Sequence, residues 1–180
     1  MAKVETKKPK KVLFMDEMRY GLISNFRRSW SKVGKRTVLP SQMEYKNLYL
    51  FSAICPETGE NFNQNGFSSM NKISVKSFLE QLKKKFKDYH LVVIWDNAPS
   101  HRATDIKELE DFTFINLPPY SPELNPVERF FGELRKVTAN RIFNSLEEQK
   151  ELLTDHLHKC EHDGEKIRSI TYYPWLRKSS

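Results

Sequence analysis

Long hydrophobic runs and cysteine are what this chain has least of. Its longest uninterrupted apolar stretch, Leu91-Val92-Val93-Ile94-Trp95, is five residues, far below the ~20 that a membrane-spanning helix needs. The N-terminus is charged and carries no apolar core of the kind a secretory leader has. Two cysteines, Cys55 and Cys160, are too few for a disulfide framework at this length, and neither belongs to a C-x-x-C pair that would suggest zinc. Both are expected as buried free thiols. No internal repeat is present, and no low-complexity tract beyond the ends. These absences lead one to expect a cytosolic protein.

What is abundant is positive charge. Thirty Lys and Arg stand against 23 Asp and Glu, a formal charge of +7 with a pI of about 9.3. Such an excess favours a polyanionic partner, because cations that neutralise phosphates release condensed counterions; a solvated basic surface that serves only solubility is the bland alternative. At 180 residues the chain suits one domain with a real core.

The chain begins with a basic, Pro-interrupted lead-in over 1–11 that reads as a linker or flexible end. Strand signals follow at 12–16 with a continuation through 20–23, and at 47–54. The turn residues Pro56-Glu57-Thr58-Gly59 predict a hairpin into 61–65. The period then changes: Val75, Phe78, Leu79, Leu82 and Phe86 fall at helical spacing, which predicts a helix over 74–87 with a basic outer face. Residues 91–95 are short and wholly apolar, as a strand buried on both faces would be. Another strand is expected at 112–117, a helix on Phe130, Phe131, Leu134 and Val137, and a last one beginning after Ser145, with 161–180 as a C-terminal tail. Strands, a crossover helix, a further strand and then helices predict an α/β arrangement of the ribonuclease H-like kind, with a mixed central sheet of about five strands flanked by helices.

Three carboxylates stand where these elements begin or end. Asp16 closes the run Val12–Met15, Asp96 closes Leu91–Trp95, and Glu128 lies at the end of Pro118-Pro119-Tyr120-Ser121-Pro122-Glu123-Leu124-Asn125-Pro126-Val127-Glu128. Acids delivered from distant segments of a rigid scaffold can hold Mg²⁺ or Mn²⁺, which take oxygen ligands and need only one or two carboxylates each. Each has a simpler reading beside this one. Asp16 can be a turn former and Asp96 an Asx turn at a strand exit. Glu128 can be the third helical residue of a capping box on Asn125, with Pro126 at the first position. The stiff prolines before Glu128 restrict the backbone where a ligand would be aimed.

Three blocks carry a family resemblance: Phe14-Met15-Asp16-Glu17-Met18-Arg19-Tyr20-Gly21-Leu22, Val93-Ile94-Trp95-Asp96-Asn97-Ala98-Pro99-Ser100-His101, and Leu117 through Glu128. Over roughly 10–160, with 12–160 as the domain, they resemble the DDE catalytic domain of the Tc-mariner transposase superfamily, in its bacterial insertion-sequence branch. The resemblance implies Asp16, Asp96 and Glu128 as the metal triad, two Mg²⁺ or Mn²⁺ ions, metal-dependent cleavage of element ends, and strand transfer into target DNA. It also implies a dimeric synapse, insertion at TA dinucleotides and a place in the bacterial cytosol at the nucleoid. Asn97 and His101 then stand beside the active site as supporting residues, or else cap and pack a following helix. Arg27, Arg28, Trp30, Lys32, Lys35 and Arg36 resemble the family's Trp-x-x-x-Gly segment, a plausible DNA contact, unless Trp30 is a core-edge residue.

Two departures matter. The spacing of Asp96 and Glu128 is shorter than is usual in the family, which keeps Glu133 as a rival third acid. Members also carry an N-terminal helix-turn-helix region that reads the terminal repeats; this chain starts at the lead-in to its first catalytic strand, which fits the downstream product of a split reading frame, a truncated copy or an excised catalytic domain, and the first of these would take recognition from a separate helix-turn-helix subunit or upstream frame product. A catalytically idle DNA-binding or assembly remnant is the alternative function. A ribonuclease H-like nuclease on RNA–DNA hybrids fits the fold but not the Pro-Tyr-Ser-Pro block.

Overall fold

The computed structural model describes residues 8–102, 106 and 108–176; residues 1–7 of the expected lead-in and 177–180 of the expected tail lie outside them. β1 (Lys10–Ile23), β2 (Met43–Ile54) and β3 (Asn61–Phe67) form an antiparallel meander. Helix α1 (Lys72–Lys85) crosses over to β4 (His90–Trp95), which pairs parallel with β1, and β5 (Phe112–Asn116) pairs parallel with β4. The sheet order is β3-β2-β1-β4-β5, five strands. Helices α2 (Val127–Thr138), α3 (Leu146–Glu161) and α4 (Gly164–Thr171) follow. This is the mixed, helix-flanked sheet that the sequence predicts.

Strand alternation sorts the core into two layers. Leu13 and Met15 of β1 join Phe51, Ala53, Leu91, Val93 and Trp95 under α1, whose Val75, Phe78, Leu79 and Leu82 are buried. On the other face Phe14, Met18 and Tyr20 join Leu50 and Ile54 under Phe130, Phe131 and Leu134 of α2, Leu153 and Leu157 of α3 and Ile167 of α4. Asn71 caps α1, its Oδ1 accepting from the N–H groups of Ile73 and Ser74, so the helix starts three residues before the first periodic apolar position, Val75.

Two ends differ from expectation. The lead-in gives way to β1 at Lys10, and Lys11 is buried, paired with Glu60 and lying 4.4 Å from the Tyr89 ring centroid. A lysine stem that packs on aromatics while its ammonium finds a carboxylate is an ordinary way to bury Lys. The tail is likewise part of the packed body as far as α4, because Ile167 and Thr171 are fully buried. Further on, Trp175 meets Phe14 edge-on at 6.4 Å.

One close approach locks α4 to the β2–β3 turn. Gly59 has φ +77°, and a Cβ there would fall 1.8 Å from the carbonyl oxygen of Gly164. Gly59→Ala is therefore expected to cost upward of about 2 kcal/mol, from left-handed strain and from separation of the two backbones. Gly132→Ala, in the middle of α2 with open space around the added methyl, is expected to gain up to about 1 kcal/mol. Thermal melting of the pair checks both signs.

Candidate metal and DNA site

β1 places its acids by parity. Asp16 shares the face of Phe14 and Met18, toward α2, while Glu17 shares the opposite face with Met15, toward α1. The parallel register Phe14↔Ile94, carried two residues on, sets Asp16 level with Asp96 where β4 ends. Asn125 closes the third side: its Nδ2 donates to Met15 O at 3.0 Å and to Asp16 Oδ2 at 3.2 Å, while its Oδ1 accepts from Val127 N–H at 3.2 Å. One buried amide thus caps the start of α2 and ties that helix, with Glu128 in its first turn, to the end of the apolar part of β1.

The capping-box role is already filled. The N–H of Asn125 donates to Pro122 O at 2.9 Å, so Glu128 has no donor to fold back on. Its Oε2 instead accepts from Arg135 at 3.4 Å. Glu133, the rival, pairs with Lys136 and lines a separate cavity of about 270 Å³ with His156, Cys160 and Lys166, on the side of α2 that faces α3 and α4.

Asp16 is the carboxyl on which the others act. Burial first, then the charge of Glu17, then Glu128 and Asp96 push it up to about 8, against the opposing hydrogen bond from the Glu17 N–H. As the side chains stand, no three acidic, histidine or cysteine groups among the described residues form a ready coordination shell. Carboxylates without a counterion repel one another, and Asp96 is drawn toward a different partner.

That partner is His101. Asp96 Oδ1 accepts from Ala98 N–H at 2.9 Å, an Asx turn, and meets His101 Nδ1 at 3.0 Å. The hydrogen bond from His101 is the main reason the Asp96 carboxyl lies below its usual value. The other ring nitrogen, Nε2, lies 3.0 Å from Glu17 Oε1. The ring stacks on Trp95 at 4.2 Å and 4°. Burial opposes a charged ring, but the bonds to Asp96 and Glu17 outweigh it and push the imidazole up to about 10. Asn97 Nδ2 donates to Leu117 O at 2.9 Å and joins the exits of β4 and β5.

Glu17 and Asn125 were not singled out as site residues by sequence. A signal for Glu17 was there: by alternation it stands in line with Leu13 and Met15 on a buried face, where an unpaired acid would be costly.

The basic segment forms an extended arm between β1 and β2, spanning residues 24–42. Its base is pinned to the end of α2: Arg27 N–H donates to Asn140 Oδ1 at 2.9 Å, Asn140 Nδ2 returns to Arg27 O at 3.1 Å, and the Arg27 guanidinium donates to Gly132 O at 3.1 Å. Arg28, Lys32, Lys35 and Arg36 are exposed. Trp30 is fully exposed rather than a core-edge residue, as is Val33.

Comparison with known proteins follows this geometry. Residues 11–150 match the family described as DDE superfamily endonuclease. An uncharacterised protein of Sinorhizobium fredii, y4pE/y4sA, is 29% identical over 133 residues, 73% of this chain and 98% of that protein. Among solved structures, the catalytic domain of the Mos1 mariner transposase superposes with a TM-score of 0.60 at 16% identity, covering 90% of this chain and 79% of that one. The Mos1 strand transfer complex superposes with a TM-score of 0.64 at 19% identity over 91% of this chain. The present chain spans 55% of the transposase chain in that complex. These likenesses show a ribonuclease H-like fold.

Proposed function

Because the chain belongs to the DDE superfamily of endonucleases, we propose that it is the catalytic domain of a cut-and-paste transposase of a bacterial insertion sequence, acting on DNA in the cytoplasm. The observation that carries this reading is the part-buried Asp16 on β1, two residues beyond the last paired position with β4, whose carboxyl feels the charges of both Asp96 and Glu128. The donor set is all carboxylate oxygen, which suits Mg²⁺ or Mn²⁺. A part-buried carboxyl raised to about 8 by its surroundings is one whose ionised form a divalent cation would relieve. Asp16, Asp96 and Glu128 would hold a pair of ions. When bound, such ions lower the pKa of water and stabilise charge on a departing 3′-oxygen.

The chain's own groups supply position. The Glu17 N–H holds one oxygen of Asp16 and Asn125 the other. His101 and Ala98 occupy Oδ1 of Asp96, so an ion would be held through Oδ2. On the arm, Arg27, Arg28, Lys35 and Arg36 would neutralise phosphates and Trp30 would stack on a base, a contact that tolerates any sequence. Recognition of element ends would come from a helix-turn-helix subunit or upstream frame product, and two copies would meet in the synapse.

The test is Mn²⁺-dependent nicking and strand transfer on a labelled element end, in the chain joined to a recognition domain if it is inert alone. Asp96→Asn is expected to abolish both while leaving DNA binding nearly unchanged; undiminished nicking by that variant would overturn the proposal. For the chain alone, affinity on the order of 10⁻⁴–10⁻⁶ M at physiological salt is expected, steeply salt-dependent and nearly equal for scrambled duplex. Trp30→Ala should weaken it without lowering the melting temperature. Strong discrimination for the element end would place recognition in this chain.

A further inference from the structure

A cavity of about 450 Å³ opens where β1 runs on past its acids, between the last turns of α2, the start of α3 and the base of the arm. Its floor is apolar and fixed. Met18, Tyr20, Leu22 and Phe143 are all buried there; the Tyr20 hydroxyl donates to Asn65 Oδ1 at 2.7 Å, and the Gln42 amide holds both backbone groups of Phe143, at 3.0 and 3.3 Å. The rim is cationic: Lys46, Arg135 and Arg141 line it, and no Asp or Glu does among the described residues. Lys46 is committed to Glu44. Arg135 spends one nitrogen on Glu128 at 3.4 Å and keeps other guanidinium donors, while Arg141 pairs with no acid among the described residues. One group in the wall serves nothing in the fold. Gln149 is 4% exposed, and its Oε1 is buried without a donor among the described residues. Such an acceptor is costly, and folded proteins seldom keep one without a use for it.

We propose that this cavity is a nucleotide site: it holds one unpaired nucleotide, with the base on the apolar floor, an amino group of the base donating to Gln149, and the phosphate on Arg135 and Arg141. A bare anion would have no use for the floor, and an apolar ligand none for the arginines. A flat base with a donor on its edge, joined to a phosphate, answers all three features at once, and an apolar pocket with hydrogen bonds to the base edge is how proteins read a base taken out of its stack. A free nucleotide and the end of a DNA strand share this chemistry. The strand is the occupant the surroundings favour, because Arg135 reaches from the cavity to Glu128 and Ser24, Asn25 and Gln42 at the base of the basic arm line the same opening. Occupation by a strand, unlike the cavity itself, rests on the transposase reading.

The experiment uses the full chain in chelator, so that metal plays no part, and follows binding by calorimetry and by the ¹⁵N signal of the Gln149 side-chain amide. Deoxyadenosine 5′-phosphate should bind and shift that signal, and purine 2′-deoxyriboside 5′-phosphate, which lacks only the amino group, should bind about 10-fold more weakly. Gln149→Leu should abolish the difference between the two ligands without lowering the melting temperature, because the acceptor it removes has no partner. Arg141→Gln, on the exposed rim, should weaken both ligands about 10-fold and keep the difference between them. Should Gln149→Leu fail to fold, the wild type and Arg141→Gln still decide: equal affinity of the wild type for the two ligands, or binding untouched by Arg141→Gln, would overturn the proposal. So would displacement by inorganic phosphate at equal concentration, the mark of a simple anion site. A 5′-phosphorylated oligodeoxyadenylate should compete with the mononucleotide; if it does not, the assignment to a DNA strand falls. Failure of these assays would leave the carboxylate triad standing, and undiminished nicking by Asp96→Asn would leave this cavity standing, so the two failures are distinguishable.

Discussion

Asp16→Asn is expected to raise the melting temperature of the protein in chelator while abolishing its Mn²⁺-dependent nicking. The cause is the environment of this carboxyl. In the unfolded chain it titrates near 3.8, and in the folded chain burial, Glu17, Glu128 and Asp96 push it up to about 8. Between those values the folded state holds a proton that the unfolded state releases, so stability falls as pH rises through the window and the full penalty applies above about 8. The amide of Asn has no such penalty. The gain from the substitution should therefore be near zero at pH 4, grow through neutrality and level off above pH 8. Water and local relaxation temper so large a shift, and a gain of about 1–3 kcal/mol is expected at pH 8, some 2–10 °C for a chain of this size. Divalent cation reverses the order. At about 100 times its dissociation constant a ligand adds ~2.7 kcal/mol to a protein that binds it only when folded, so Mn²⁺ should stabilise wild type and leave Asp16→Asn unmoved. Calorimetric scans at four pH values, with chelator and with Mn²⁺, test all of this. A melting temperature for Asp16→Asn below wild type at pH 8 in chelator would show that Asp16 is not held against its charge.

Much of the scaffold is legible in the sequence because its signals are local. The switch from period two in β2 to helical spacing in α1 is written in Val75, Phe78, Leu79 and Leu82, all of which are buried. The wholly apolar 91–95 run names a central strand, and β4 indeed lies between β1 and β5. The ends misled because their burial is tertiary. Lys11 looks like more of a basic tail, yet Glu60 and the Phe86 and Tyr89 rings are there to receive it. Residues 164–171 carry weak apolar periodicity, and it is the contact of Gly164 with Gly59 that seats them.

The site divides in the same way. Asp16, Asp96 and Glu128 could be proposed from specific motifs, although Asp16 does not close a strand as expected but lies within β1, which runs on to Ile23. What lay hidden was how their neighbours connect. Asn125 was visible as a cap, whereas its second role, reaching across to Met15 and Asp16, depends on a packing of α2 against β1 that no spacing reveals. His101 was visible as a motif residue, but its bond to Glu17 spans 84 positions, and the stacking surface offered by Trp95 exists only because the 3₁₀ turn Pro99–Arg102 folds back over the strand end. Trp30 shows the opposite error: an aromatic beside arginines invites a core-edge reading, and here it stands free on an arm whose anchors, Asn25, Arg27 and Gln42, are polar.

Glu128→Gln and Glu133→Gln should part company by two to three orders of magnitude in activity. Glu128 occupies the first turn of α2, where the helix dipole favours an anion, and its charge reaches Asp16. Glu133 pairs with Lys136 and acts on His156, and it is not among the groups that shift Asp16. Because the Asn125 N–H is spent on Pro122, the first substitution breaks no capping bond, and among the described residues it removes from the fold the half-exposed contact with Arg135 at 3.4 Å, worth about 0–1 kcal/mol. Loss of that contact is offset by relief of repulsion on Asp16, so the melting temperature in chelator should stay level or rise. An anionic oxygen withdrawn from the proposed metal site would remove several kcal/mol of transition-state stabilisation, on the order of 10²–10³-fold in rate. Glu133→Gln forfeits one surface ion pair and should keep nearly full activity. Cleavage rates and melting curves for the two variants, taken side by side at saturating Mn²⁺, decide the matter. Activity kept by Glu128→Gln and lost by Glu133→Gln would move the third acid one and a half turns along the helix and require α2 to rotate about its axis when DNA binds.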